Sequence, residues 1–168
     1  MRDTEQRTES AWKGLAAGLV GGLVATWAMT RFQTFLSELD TRDEKEKEGE
    51  GDDATIRAAS AVSEAFGHPL QEDEKKAAGT GVHYGFGTFM GGAYGVATEL
   101  APAVAVGRGF PFGTALWLGA DEVAVPALGL SKAPSEIPLA RHAGALAMHL
   151  VYGAILEVVR RGVRRALD

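Results

Sequence analysis

The 168-residue sequence contains no cysteine, which excludes disulfides, thiolate nucleophiles, zinc fingers and cysteine-held iron–sulfur clusters. It also lacks an excess of basic charge. The formal net charge is −5 and no stripe of basic and aromatic residues runs along the chain, so recruitment of nucleic acid by a positive field is excluded. Reaction signatures are missing too. No Gly-x-Ser-x-Gly, His-Glu-x-x-His or phosphate-cradling Gly-Lys-Ser/Thr is present, so acyl transfer, zinc proteolysis and nucleotide chemistry have no motif to rest on, and no cofactor is predicted. Charge is scarce where the chain is longest. Of 39 Asp, Glu, Lys and Arg residues, 19 lie between Ser37 and Ala78 and only 13 between Gly79 and Asp168. The length itself suits one domain.

What fills the charge-poor stretches is glycine, alanine and large apolar residues, in four segments at about 14–36, 79–100, 110–130 and 138–159. At about 1.5 Å of rise per residue each reaches roughly 30 Å, the thickness of a bilayer's hydrocarbon core. A soluble four-helix bundle is the competing reading. It needs a charged stripe on every helix, yet Val82 to Thr98 holds no Asp, Glu, Lys or Arg. The 22 glycines also count against it, since each weakens a helix in water by about 1 kcal/mol, whereas membranes tolerate them. The expected fold is therefore all-α: a single membrane domain over residues 1–168, with four transmembrane helices packed as a glycine-rich bundle. Arg160, Arg161, Arg164 and Arg165 follow the fourth segment and mark that end as cytoplasmic, and an even number of spans places the N-terminus there too. The acidic connection 37–78 then lies outside. Thr41 to Asp53 reads as a solvated linker. Ala54 to Phe66 reads as a short amphipathic helix capped by Asp53, stopped by Gly67, and carrying Ile56, Ala59, Val62 and Phe66 near one face.

Two stripes of small residues stand out. Gly14, Gly18 and Gly22 repeat every four residues in the first segment, and Gly87, Gly91 and Gly95 do so in the second. Such stripes let helices approach closely, either within the chain or against a partner in a homo-oligomer or membrane complex. Ionisable groups inside the segments carry the functional signal. Asp121 and Glu122 fall near the middle of the third, where one acid costs about 2.5–3.5 kcal/mol on insertion. Depth counted along the helices lets Asp121 meet His149 and puts His83 and His142 in one outer layer. The expected inward column comprises His83, Tyr94, Asp121, Glu122, His142, His149 and Tyr152. At the inner ends, Glu99 and Glu157 are expected to form interfacial ion pairs with Arg108, Arg160 and Arg161.

The second segment reads His83-Tyr-Gly-Phe-Gly-Thr-Phe-Met-Gly-Gly-Ala-Tyr94-Gly-Val-Ala-Thr-Glu99, and the last reads His149-Leu-Val-Tyr-Gly-Ala-Ile-Leu-Glu157-Val-Val-Arg160-Arg161. Together with Gly113, Pro126, Gly129 and Pro134, this resembles the YagU-like inner-membrane proteins, a bacterial family of unknown function, over about residues 79–165. The resemblance implies a multi-pass protein of the bacterial inner membrane and supplies no reaction. Three roles stay open for the column: hydrogen bonds that fix helix register, a proton or ion relay, or a metal or haem site. Docking of a membrane partner through the glycine stripes is the alternative to all of these.

Overall fold

The computed structural model describes residues 2–39 and 53–168, so most of the linker expected over Thr41 to Asp53 lies outside the described residues. Five helices are present among them: α1 (Arg2–Leu39), α2 (Ala54–Ala65), α3 (Glu72–Leu100), α4 (Phe110–Trp117) and α5 (Leu139–Ala166). Short 3₁₀ turns cover Pro102–Ala105 and Pro134–Glu136. Two helices, α1 and α5, are long and apolar enough to cross a membrane. The other two expected spans differ for distinct reasons. Helix α3 dilutes its apolar surface with glycine and begins in the acidic turn Glu72, Asp73, Glu74, which favours the positive end of the helix dipole. Gln71 caps it by donating its backbone N–H to Glu74 Oε2 at 2.9 Å.

The third segment is not one regular helix. After Trp117 it widens into a π-helical stretch, Leu118–Ala124, and ends in a single α turn, Val125–Ala127. Pro126 gives the physical reason. Its ring would collide with the Glu122 carbonyl four residues back in α geometry, and the N–H of Val125 instead reaches the Ala120 carbonyl, five residues back.

Helix α2 forms where the sequence places it. Asp53 stands at its start and accepts the Arg57 N–H through its carbonyl at 2.9 Å, but its carboxylate makes no capping hydrogen bond. Gly67, at φ +77°, ends the helix by the left-handed turn that glycine adopts without penalty. Ile56 and Ala59 face α3, with Ile56 against Gly79, while Val62 and Phe66 stay exposed.

Helix α1 is the shared wall of the bundle. A Cβ added to Gly14 would lie 2.6 Å from the Gly95 carbonyl oxygen, and one added to Gly22 would lie 2.6 Å from that of Gly87. The two glycine stripes therefore face each other in antiparallel register, backbone against backbone. A second small stripe, Ala17, Gly21 and Ala25, sits about 60° round the same helix and packs on α5, where Gly21 meets Leu156. Helix α4 meets α5 in the same manner: Gly109 lies against Gly153, and Gly113 against the His149 carbonyl. The buried apolar core is small, built from Ala25, Tyr94, Leu116, Tyr152 and Leu156.

Candidate functional site

The polar groups separate into three places. The first is the Glu122–His142 pair. Glu122 projects from the π stretch and its Oε1 lies 2.6 Å from His142 Nδ1 at the start of α5. His142 Nε2 lies 3.1 Å from the Pro134 carbonyl. A carbonyl only accepts, so Nε2 carries a hydrogen, and the short contact at Nδ1 then holds one proton shared between imidazole and carboxyl.

The second place is a cavity of about 380 Å³ to which all five helices contribute. Thr26 and Met29 come from α1, Ala54 and Thr55 from α2, His83 and Gly87 from α3, and His149 and Tyr152 from α5. Asp121 enters from the π stretch. Its Oδ2 lies 3.7 Å from His149 Nδ1, too far for a hydrogen bond, and that nitrogen donates to the Ala145 carbonyl at 2.9 Å instead. Among the described residues no hydrogen-bond donor reaches the Asp121 carboxylate, and its side chain remains 39% exposed. His83 Nε2 is buried and has no partner. Two further polar side chains are engaged: the Tyr152 hydroxyl donates to the Gly87 carbonyl at 2.5 Å, and the Thr26 hydroxyl to the Gly22 carbonyl at 2.7 Å.

The third place is the opposite end of the bundle. Glu157, 2% exposed, receives hydrogen bonds from Arg160 Nε at 2.8 Å and Arg161 Nε at 2.5 Å. The Arg160 guanidinium also stands 5.8 Å over the ring of Tyr94. Tyr94 thus belongs to this cluster and to the core, against Phe112 at 4.5 Å, and does not join the cavity. The expected single column is therefore interrupted. Its axial spacing is real, but depth along a helix does not fix which way a side chain points.

Of the expected inner ion pairs, Glu157 meets both Arg160 and Arg161, whereas Glu99 takes Arg164 at 2.8 Å and the Ser10 hydroxyl at 2.5 Å. Arg108 forms no ion pair among the described residues. It is exposed in the reversal Gly107 to Gly109, where its own φ is +56°. Glu157 and Arg160 are also buried within the bundle. Arg164 further donates to Asp168, and this hydrogen bond holds the exposed Asp168 carboxyl below its ordinary range.

Sequence reasoning did not single out Thr26 or Ser10, and it read Arg164 as a marker of the cytoplasmic end rather than as the partner of Glu99. Thr26 had a signal, since it continues the spacing of Gly14, Gly18 and Gly22 by one more step of four. Among the described residues no three His, Asp or Glu side chains converge as metal ligands.

An all-helical bundle with glycine-mediated contacts and buried ionisable groups is thus defined. The chain belongs to the family described as protein of unknown function (DUF1440), whose sequence profile matches residues 53–158. That segment holds every cavity wall except α1. No curated protein and no solved structure matches the chain.

Proposed function

We propose that the chain is a multi-pass protein of the bacterial inner membrane, with both termini cytoplasmic, that handles protons or small cations through the His and carboxylate groups in the outer half of its bundle. The observation that carries this reading is an inverted surface. Trp12, Trp27 and Phe89 are 66%, 53% and 67% exposed, while Glu157 and Arg160 are 2% and 7% exposed. On α1, Leu19, Val20, Leu23, Val24 and Trp27 make one continuous outward face, opposite the glycines and alanines turned inward. In water such a face costs about 25 cal/mol per Å² of apolar area, whereas lipid removes that cost. Small residues inside and large apolar ones outside is the arrangement expected of helices packed in hydrocarbon.

The relay reading draws on the proton shared by Glu122 and His142 and on the neighbouring Asp121–His149 contact. These two pairs lie on consecutive residues of the π stretch, and His83 shares the cavity with Asp121. The path is short, belonging to the outer half alone. The family membership and the motif resemblance over residues 79–165 are consistent with a membrane protein. Docking of a partner through the six stripe glycines finds less support, because those glycines face each other within the chain.

Two experiments test this. The absence of native cysteine makes single-cysteine labelling direct. Ser131→Cys should react with a membrane-impermeant maleimide only from the periplasmic side, and Asp168→Cys only from the cytoplasmic side. In reconstituted vesicles a pH gradient should decay faster with the protein than without it, and Asp121→Asn and His149→Ala should each remove the difference. A protein that is monodisperse in buffer without amphiphile would overturn the membrane reading, and flux unchanged in both variants would overturn the relay.

A further inference from the structure

The cavity is poorly matched to a bare inorganic cation. Such an ion needs several ligands at once, and among the described residues no group of three His, Asp or Glu side chains converges to supply them. Most of the wall is apolar, with Met29, Val82, Phe86, Leu116, Leu128 and Leu130, and Asp121 is the one carboxylate among the lining residues. Asp121 contributes a partly exposed carboxylate that accepts no hydrogen bond among the described residues. An apolar chamber with one unmatched negative charge complements a molecule that carries one positive charge and its own apolar surface.

We infer that the cavity lined by the five helices is a binding site for a small lipophilic organic amine, held as its ammonium ion by Asp121. The ammonium N–H groups donate to the Asp121 carboxylate, and the hydrocarbon part lies against Phe86 and Leu116. At about 380 Å³ the chamber is at the lower end of ligand-site sizes, which favours a compound with one ring over a larger one. Helix α2 lines it through Ala54, Thr55 and Ala58. The inference deepens the proton- or cation-handling reading by naming what the site takes.

The test uses full-length protein in nanodiscs, with empty nanodiscs as the control for partitioning. Saturation-transfer NMR is recorded for 2-phenylethylamine, protonated at neutral pH, and for its uncharged analogue n-propylbenzene. The amine should bind at least tenfold more tightly than the hydrocarbon. Asp121→Asn should abolish that preference while leaving n-propylbenzene unaffected, and Ala120→Phe, which fills the chamber, should weaken both. Equal binding of the two probes, or an amine preference that survives Asp121→Asn, would overturn the inference. Thermal unfolding of each variant separates loss of the site from loss of the fold. Proton flux measured without amine is a separate readout: flux that depends on Asp121 with no amine preference overturns this inference alone, and amine binding without flux overturns only the relay.

Discussion

At one end of the bundle Glu157 is met by two guanidinium groups and sealed to 2% exposure, whereas at the other end Asp121 has one imidazole nitrogen 3.7 Å away and opens into a cavity. Both are carboxylates inside helical rods, and the elements that present them differ. Glu157 lies on a regular helix whose i+3 and i+4 neighbours are Arg160 and Arg161, so its partners come with the spacing. Asp121 lies on a π stretch forced by Pro126, which aims it away from its own helix toward an opposing one. Local pairing gives a strut. Unmatched charge held by tertiary structure gives a site.

The largest expected effect comes from breaking the matched end. Glu157→Ala leaves Arg160 buried without its counter-ion and should destabilise the fold by about 3–5 kcal/mol, read as a large drop in thermal unfolding temperature in detergent. Next is the bond that closes the floor of the cavity. Tyr152→Phe removes the donor to the Gly87 carbonyl and should cost about 0.6 kcal/mol, the average for such bonds between membrane helices. Smaller still is the effect of Asp121→Asn, which removes no accepted hydrogen bond and should shift stability by less than about 0.5 kcal/mol while eliminating flux. An Asp121→Asn variant that unfolds would erase the contrast between strut and site.

The smallest effect is expected at Asp168. Its carboxyl is held below the ordinary value by Arg164, so any contribution to stability exists at neutral pH and fades as the pH falls through that lowered value. The group is fully exposed and screened, so Asp168→Asn should leave the unfolding temperature at pH 7 unchanged within error.

The small residues at positions 14, 18, 22, 87, 91 and 95 were legible because glycine at intervals of four has no other common use in an apolar helix. The stripe of Ala17, Gly21 and Ala25 was hidden, since alanine is an ordinary helix former and marks no face by itself. Gly109 and Gly113 share that spacing of four, but their counterpart on α5, Gly153, has no glycine four residues to either side to mark its face. The polar residues were legible as a set but not as an arrangement. Helical rise gives a side chain's depth, so Asp121 and His149 were brought to one level, as the 3.7 Å contact shows. It gives no azimuth across the bundle, and Tyr94 therefore turned out to sit beneath Arg160. The widening before Pro126 was equally out of reach, because a proline clash can be relieved by a kink or a bulge, and neighbouring helices decide which.

The two small-residue faces of α1 bear on how the molecule is assembled during synthesis. One face waits for α3, which emerges soon after it, but the other waits for α5, the last of the described helices in chain order. Until then the Ala17, Gly21 and Ala25 face has nothing to close upon, and the chamber lacks the wall that His149 and Tyr152 provide. Completion of the bundle thus waits for α5, and a chain halted before residue 139 would hold a docked α1–α3 pair with an open seam along its side.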